Sequence, residues 1–220
     1  MKFEATLWDL DGTLVDSLED IAAAMNRVLE RLGLPMHDLE TYRGFVGEGV
    51  EVLVDRALPD SHRDVETRRR AVVDMREIYG NHLLIRTKPY DGISGVLDEL
   101  HARELSLSVL SNKPHGPTRE IVAACFPGHQ FAEIVGARPE VPKKPDPTAA
   151  LAIARQLEVP PEKFIYFGDT AIDMQTAVSA GMFPVGVLWG FRGPEELLPA
   201  GAAMLVKSPA HLLDWLRGLR

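Results

Sequence analysis

The sequence predicts an α/β fold, a parallel sheet flanked by helices, with a small all-helical unit inserted after the first strand. Three observations point there. Short apolar runs at residues 5–8, 105–110, 133–135, 164–167 and 185–188 alternate with helix-like stretches, the pattern of successive βα units. Between the first run and about residue 84 there are amphipathic stretches but no convincing strand. Three of the apolar runs end in polar clusters, and in an open α/β sheet such ends converge where ligands bind.

Each element has a local reason. Behind the first run, Ser17 with Asp20 three residues on reads as a helix start, and Ile21, Met25, Val28, Leu29 and Leu32 recur at helical spacing. Gly33 and Pro35 end that helix. Residues 50–58 and 65–79 are amphipathic, and Pro89-Tyr90-Asp91-Gly92 is a turn. Residues 148–157 are rich in Ala and Leu behind Pro147, and 171–180 stops at Gly181. The predicted division is a core of residues 1–16 and 86–220 and a helical domain of residues 17–85. Arg68-Arg69-Arg70 is flanked by Asp64, Glu66, Asp74 and Glu77, so it reads as a solvated helix face.

Composition narrows the function. A chain of 220 residues with 45% hydrophobic content buries one good core and a smaller second one. A net charge of -8 opposes nucleic-acid binding, which needs clustered Lys and Arg. Cys125 is the single cysteine, which excludes an internal disulfide or a cysteine zinc site; it reads as a core thiol in a reducing compartment. Glu4 and Asp9 lie close together near the N-terminus, and no later apolar run approaches the ~18 residues of a membrane span. The expectation is a soluble, cytoplasmic protein with no membrane or nucleic-acid partner.

The chemistry begins at Asp9-Leu10-Asp11-Gly12-Thr13. Strand side chains alternate faces, so Asp9 and Asp11 are expected to point the same way and to repel unless a cation such as Mg2+ separates them. One carboxylate is then free to attack and the other to move a proton. The second run leads into Ser111-Asn112, and the run at 164–167 into Gly168-Asp169, with Asp173 four residues on. Lys144-Pro145-Asp146-Pro147 places Lys144 on an extended segment before a helix. Singly, each piece matches a turn or a helix cap; in this order behind apolar runs, they read as one site. A calcium loop would need glycine and glutamate where Leu14 and Asp20 stand.

These residues resemble the haloacid dehalogenase superfamily of aspartate-nucleophile phosphatases, with four motifs matching in order over nearly the whole chain. The resemblance implies a Rossmann-like core and a helical cap like that of the phosphoglycolate phosphatase-like and β-phosphoglucomutase-like branches. It implies that Asp9 is the nucleophile, forming an aspartyl-phosphate, and that Asp11 is the general acid and base. Mg2+ would be held by Asp9, the backbone carbonyl of Asp11 and Asp169, with Asp173 beside it. Thr13, Ser111, Asn112 and Lys144 would hold the phosphoryl group. Dehalogenases lack the second aspartate and phosphonoacetaldehyde hydrolases replace it with alanine, whereas this chain has Asp11.

In the helical insertion, Arg43-Gly44-Phe45-Val46-Gly47-Glu48-Gly49 resembles phosphoglycolate phosphatases most closely. A Gly-x-Gly ahead of a helix exposes N–H groups, so Gly47 and Gly49, with Arg43, are expected to take an anion such as the carboxylate of 2-phosphoglycolate. A tight turn with a surface arginine is the other reading, and Glu48 would sit near that carboxylate. His115 follows Ser111-Asn112-Lys113 and reads as a loop residue more readily than as a phosphate contact. The leading expectation is a Mg2+-dependent phosphatase of a small phosphorylated metabolite, as a monomer or homodimer. A phosphosugar mutase and a non-catalytic phosphometabolite sensor are the alternatives.

Overall fold

The chain is described by a computed structural model over residues 3–218. Six strands, β1 (Ala5–Trp8), β4 (Ser106–Pro114), β5 (Glu133–Ala137), β6 (Phe164–Gly168), β7 (Phe183–Val187) and β8 (Met204–Val206), form a parallel sheet ordered β5-β4-β1-β6-β7-β8. Two two-residue strands, β2 (Val15–Asp16) and β3 (Lys88–Pro89), pair antiparallel beside it. All four residues of β1 are buried, as a central parallel strand covered on both faces requires. On one face Trp8 stacks on Phe167 with ring centroids 4.0 Å apart. The core there includes residues of α5 (Ile93–Ala102), α6 (His115–Cys125) and α10 (Pro209–Gly218). On the other face Leu7, Phe164 and Tyr166 form a cluster with α7 (Thr148–Gln156) and α8 (Ala171–Ala180). A short α9 (Pro194–Leu197) follows β7.

The five expected strands are present, with β4 running on to Pro114 so that Ser111 and Asn112 lie within it. β8 and α10 follow them, unmarked by the sequence pattern. Between β2 and β3 lie α1 (Leu18–Arg31), α2 (Leu39–Phe45), α3 (Val50–Ala57) and α4 (Val65–Gly80). The unforeseen one is α2, whose seven residues are too few to show a helical period. Its start is nonetheless capped, Thr41 N donating to Asp38 Oδ1 at 2.8 Å.

α1 starts where expected, but without the expected capping bonds. Ser17 holds the cap position, but its hydroxyl donates to Asp11 Oδ1 at 2.6 Å rather than accepting a helix amide. Asp20 does not reach back to Ser17 either. Its buried carboxylate accepts from Arg86 N and from Thr87 N and Oγ1, tying the end of the helical unit to its beginning. Arg68 and Arg69 pair on the surface with Asp55 and Glu66. Cys125 is half-buried and free, its thiol pKa raised by burial. Among the described residues no helix is long and apolar enough to cross a membrane.

Candidate active site

Register brings the site together. β1 pairs with β4 from Ala5↔Ser106 to Trp8↔Val109 and with β6 from Ala5↔Phe164 to Trp8↔Phe167, so the residues that follow Trp8, Val109 and Phe167 stand at one level. Asp9 leaves β1 there, its N–H bonded to Phe167 O at 2.9 Å, between Ser111 of β4 and Asp169 after β6. Asp169 is fully buried and accepts from Thr13 Oγ1 at 3.0 Å and Phe191 N at 2.8 Å. That close packing explains two glycines. A Cβ on Gly12, whose φ is +84°, would lie 2.9 Å or less from the carboxylate atoms of Asp169, and one on Gly190 would meet Asp169 Cβ at 2.3 Å. Thr13, expected on the phosphate, donates its hydroxyl to Asp169.

Lys144 is buried among the acids, 2.8 Å from Asp9 Oδ1 and 2.6 Å from Asp173 Oδ1. The other oxygen of Asp173 accepts from Thr170 N and Oγ1, so this acid both caps α8 and holds the lysine. Burial alone would lower the Lys144 pKa, but the charges of Asp173 and Asp9 hold it well above its ordinary value. Burial, then the charge of Asp173, pushes Asp9 up to about 7, against the opposing pull of Lys144. Asp169 is likewise raised, by burial first and then by Asp173 and Asp9.

Asp9, Asp169 and Asp173 each offer an oxygen, all within 4.8 Å of one another. Asp9 Oδ1 is buried without a hydrogen bond, its ion pair with Lys144 being too poorly aligned for one. A buried set of carboxylates facing one lysine, with an oxygen free of hydrogen bonds, fits a hard cation such as Mg2+. A pH prediction follows. A carboxyl whose folded pKa lies above its unfolded value stabilises the fold at low pH and loses that contribution as pH rises through the folded pKa. In EDTA the melting temperature is therefore expected to fall between about pH 4 and pH 7, the window from the ordinary value of Asp9 to its raised one. Mg2+ is expected to raise it most at the upper end; thermal melts at several pH values check this.

The second carboxylate sits apart from this cluster. Lys113 Nζ donates to both oxygens of Asp11 at 2.9 and 2.8 Å, with Ser17 on one of them, and lies 4.5 Å from the ring centre of Tyr79. Neither Lys113 nor Tyr79 was singled out by the sequence. Burial would lower the Lys113 pKa, but the Asp11 charge raises it beyond its ordinary value. Asn112 braces its neighbours: its amide donates to Lys144 O and Gly47 O, and its oxygen accepts from Lys144 N at 2.9 Å. Ser111 Oγ accepts from Lys113 N. Asp9, Asp11, Ser111 and Asn112 open on a cavity of about 470 Å³ whose far side is formed by α1, α3 and α4.

Residues 6–187 match the family model of the haloacid dehalogenase-like hydrolases. The chain belongs to that family. A phosphoglycolate phosphatase of Pseudomonas putida is 34% identical over 218 residues, 97% of this chain and 77% of that protein. One from Aquifex aeolicus is 34% identical over 193 residues, 88% of each. A solved haloacid dehalogenase-like family hydrolase from Streptococcus pneumoniae superposes with a TM-score of 0.87 at 27% identity, covering 97% of this chain and 98% of that one.

In this haloacid dehalogenase-like hydrolase, the polar side chains of the helical insertion's glycine-rich stretch are engaged within the protein. Arg43 does not line the cavity; its guanidinium donates to Gly190 O at 3.0 Å and to Glu40, binding α2 to the loop after β7. Arg192 answers from that loop, donating to the carbonyls of Arg43, Gly44 and Val46. Glu48 is paired with Arg56 and is likewise off the cavity wall. Gly47 and Gly49 do line it, but Gly47 turns its carbonyl to Asn112. His115 accepts from Gly136 N beside Arg138 and does not itself line the cavity, though Pro114 and Gly116 on either side of it do. Burial and the charge of Arg138 lower its pKa.

Proposed function

We propose that the chain is a Mg2+-dependent phosphoric monoester hydrolase of the cytoplasm that works through a phosphoryl group carried on Asp9. The buried cluster of Asp9, Asp169, Asp173 and Lys144 at the strand ends carries this reading, because it pairs a carboxylate oxygen free of hydrogen bonds with a charged lysine. The names of the relatives put 2-phosphoglycolate first among small phosphorylated metabolites to test.

In the first step an Asp9 carboxylate oxygen bonds to phosphorus as the ester P–O bond breaks, and Asp11 gives its proton to the leaving alcohol. In the second, water attacks the same phosphorus, Asp11 takes the proton, and inorganic phosphate leaves with the Asp9 carboxylate restored. Lys144 faces the phosphoryl oxygens with Ser111. Asn112 holds Lys144 in place through its backbone, Lys113 and Ser17 hold Asp11, and Thr13 holds Asp169. Asp9, Asp169 and the backbone carbonyl of Asp11 would hold Mg2+, with Asp173 orienting Lys144 beside it; when bound, the ion supplies positive charge against an anionic substrate. Residues 17–85 act as a cap domain over the core of residues 1–16 and 86–220, keeping bulk water out.

The test is phosphate release from 2-phosphoglycolate and a panel of metabolite monoesters. Release is expected with Mg2+, is expected to stop in EDTA, and is expected to return on adding Mg2+. No release from any monoester would overturn the reading. Conversion of β-glucose 1-phosphate to glucose 6-phosphate without free phosphate would replace it with a mutase.

A further inference from the structure

We infer that the cavity selects a phosphate monoester with an apolar body larger than two carbons, an inference that rests on the phosphatase reading above and names its substrate class. At about 470 Å³ the cavity lies in the range of ~300–1,000 Å³ that holds drug-sized ligands, so a two-carbon phosphate leaves much of it unfilled. Its polar end is the catalytic one, at Asp9, Asp11 and Ser111. Beyond that the wall is mostly hydrocarbon, with Ile21, Leu53, Met75, Tyr79, Leu83 and Pro117 in it.

A second anionic group finds no unpaired buried counter-charge among these residues. Lys113, the buried cation, is held by both oxygens of Asp11, and Arg76 lies on the half-exposed side of the lining, 2.6 Å from a Glu51 that also pairs with Lys143. The N-terminus of α3 at Gly49 already has Glu51 in its first turn, and Glu120 adds a carboxylate to the lining. The carboxylate of 2-phosphoglycolate would have to break one of these pairs or lie desolvated against hydrocarbon. An alkyl or aryl body instead removes its own apolar surface from water and covers that of the wall.

Primary n-alkyl phosphates from ethyl to hexyl test this, because their leaving alcohols are alike and only the body lengthens. With Mg2+, kcat/KM from phosphate release is expected to rise about two- to fourfold per methylene, and hexyl phosphate to exceed 2-phosphoglycolate by about tenfold or more. The corresponding alkylphosphonates, which cannot be hydrolysed, are expected to inhibit the wild type with a Ki that falls along the same series. Met75→Gln and Leu53→Gln are expected to flatten the dependence on chain length, with thermal melts reporting whether each variant folds. A flat series in both measurements, or 2-phosphoglycolate outperforming hexyl phosphate, would overturn the inference and leave the phosphatase reading standing. No release from any monoester overturns both.

Discussion

Asp9→Asn is expected to reduce phosphate release by roughly 10^4-fold or more, the scale of removing a nucleophile from a concerted set of catalytic groups. The amide keeps the shape of the carboxylate but has no oxygen that can bond to phosphorus and then leave as carboxylate. Stability should move the other way. The carboxyl of Asp9 is pushed up to about 7 because burial and the Asp173 charge oppose its ionisation, and asparagine carries no charge to bury. In EDTA at pH 7.5 the variant is therefore expected to melt at or above the wild-type temperature, and Mg2+ to stabilise it less. Loss of activity through unfolding would instead lower both. Activity equal to wild type would rule out attack by Asp9.

Lys144→Met is expected to have the largest effect on stability, a loss of about 3–5 kcal/mol, because it strips the counter-charge from a buried pair and leaves the acids. Methionine has similar length, so the loss is electrostatic more than steric. The pH dependence gives it a signature. Asp9 and Asp169 already have folded pKa values above their ordinary ones, and removing a cation raises them further. Folded values above unfolded ones mean that stability is present at low pH and is lost as pH rises. The variant should therefore approach the wild type near pH 5 and fall furthest below it near pH 7.5 in metal-free melts. Phosphate release is expected to drop by about 10^2- to 10^3-fold, as on removing one preorganised charge stabiliser. A uniform loss at all pH values would point to packing instead.

The sheet was legible because buried parallel strands are short, continuous apolar runs, and those at 164–167 and 185–188 stand out between polar helices. The polar residues behind the runs were legible for the same reason: they follow a recognisable strand. What escaped had no local signature. The strands β2 and β3 are two residues each, and α2 is shorter than the window in which a helical period can be seen. Lys113 sits in a strand whose neighbours carry the motif, and its partners, Asp11 and Tyr79, are 102 and 34 residues distant in sequence. Arg43 misled for a related reason. An arginine beside a glycine-rich turn suits an anion, but the carbonyl of Gly190, 147 residues on, claims it in the fold. The apolar cavity wall is a joint product of α1, α3, α4 and the start of α6, and no single stretch of sequence announces it.

The hydrogen bonds from residues 85–87 to Asp20, together with the pairing of Val15–Asp16 with Lys88–Pro89, bring the chain's departure for the helices and its return to adjacent points. A segment that begins and ends in one place behaves like a side loop however long it is, since closing a longer loop adds little entropy. Its length and sequence can therefore drift, or be replaced outright by another insert, without shifting the register of the six strands. Evolution can rewrite what the enzyme recognises while the chemistry stays untouched, and an engineer grafting a new insert should keep Asp20, Thr87 and the two short strands as the splice points.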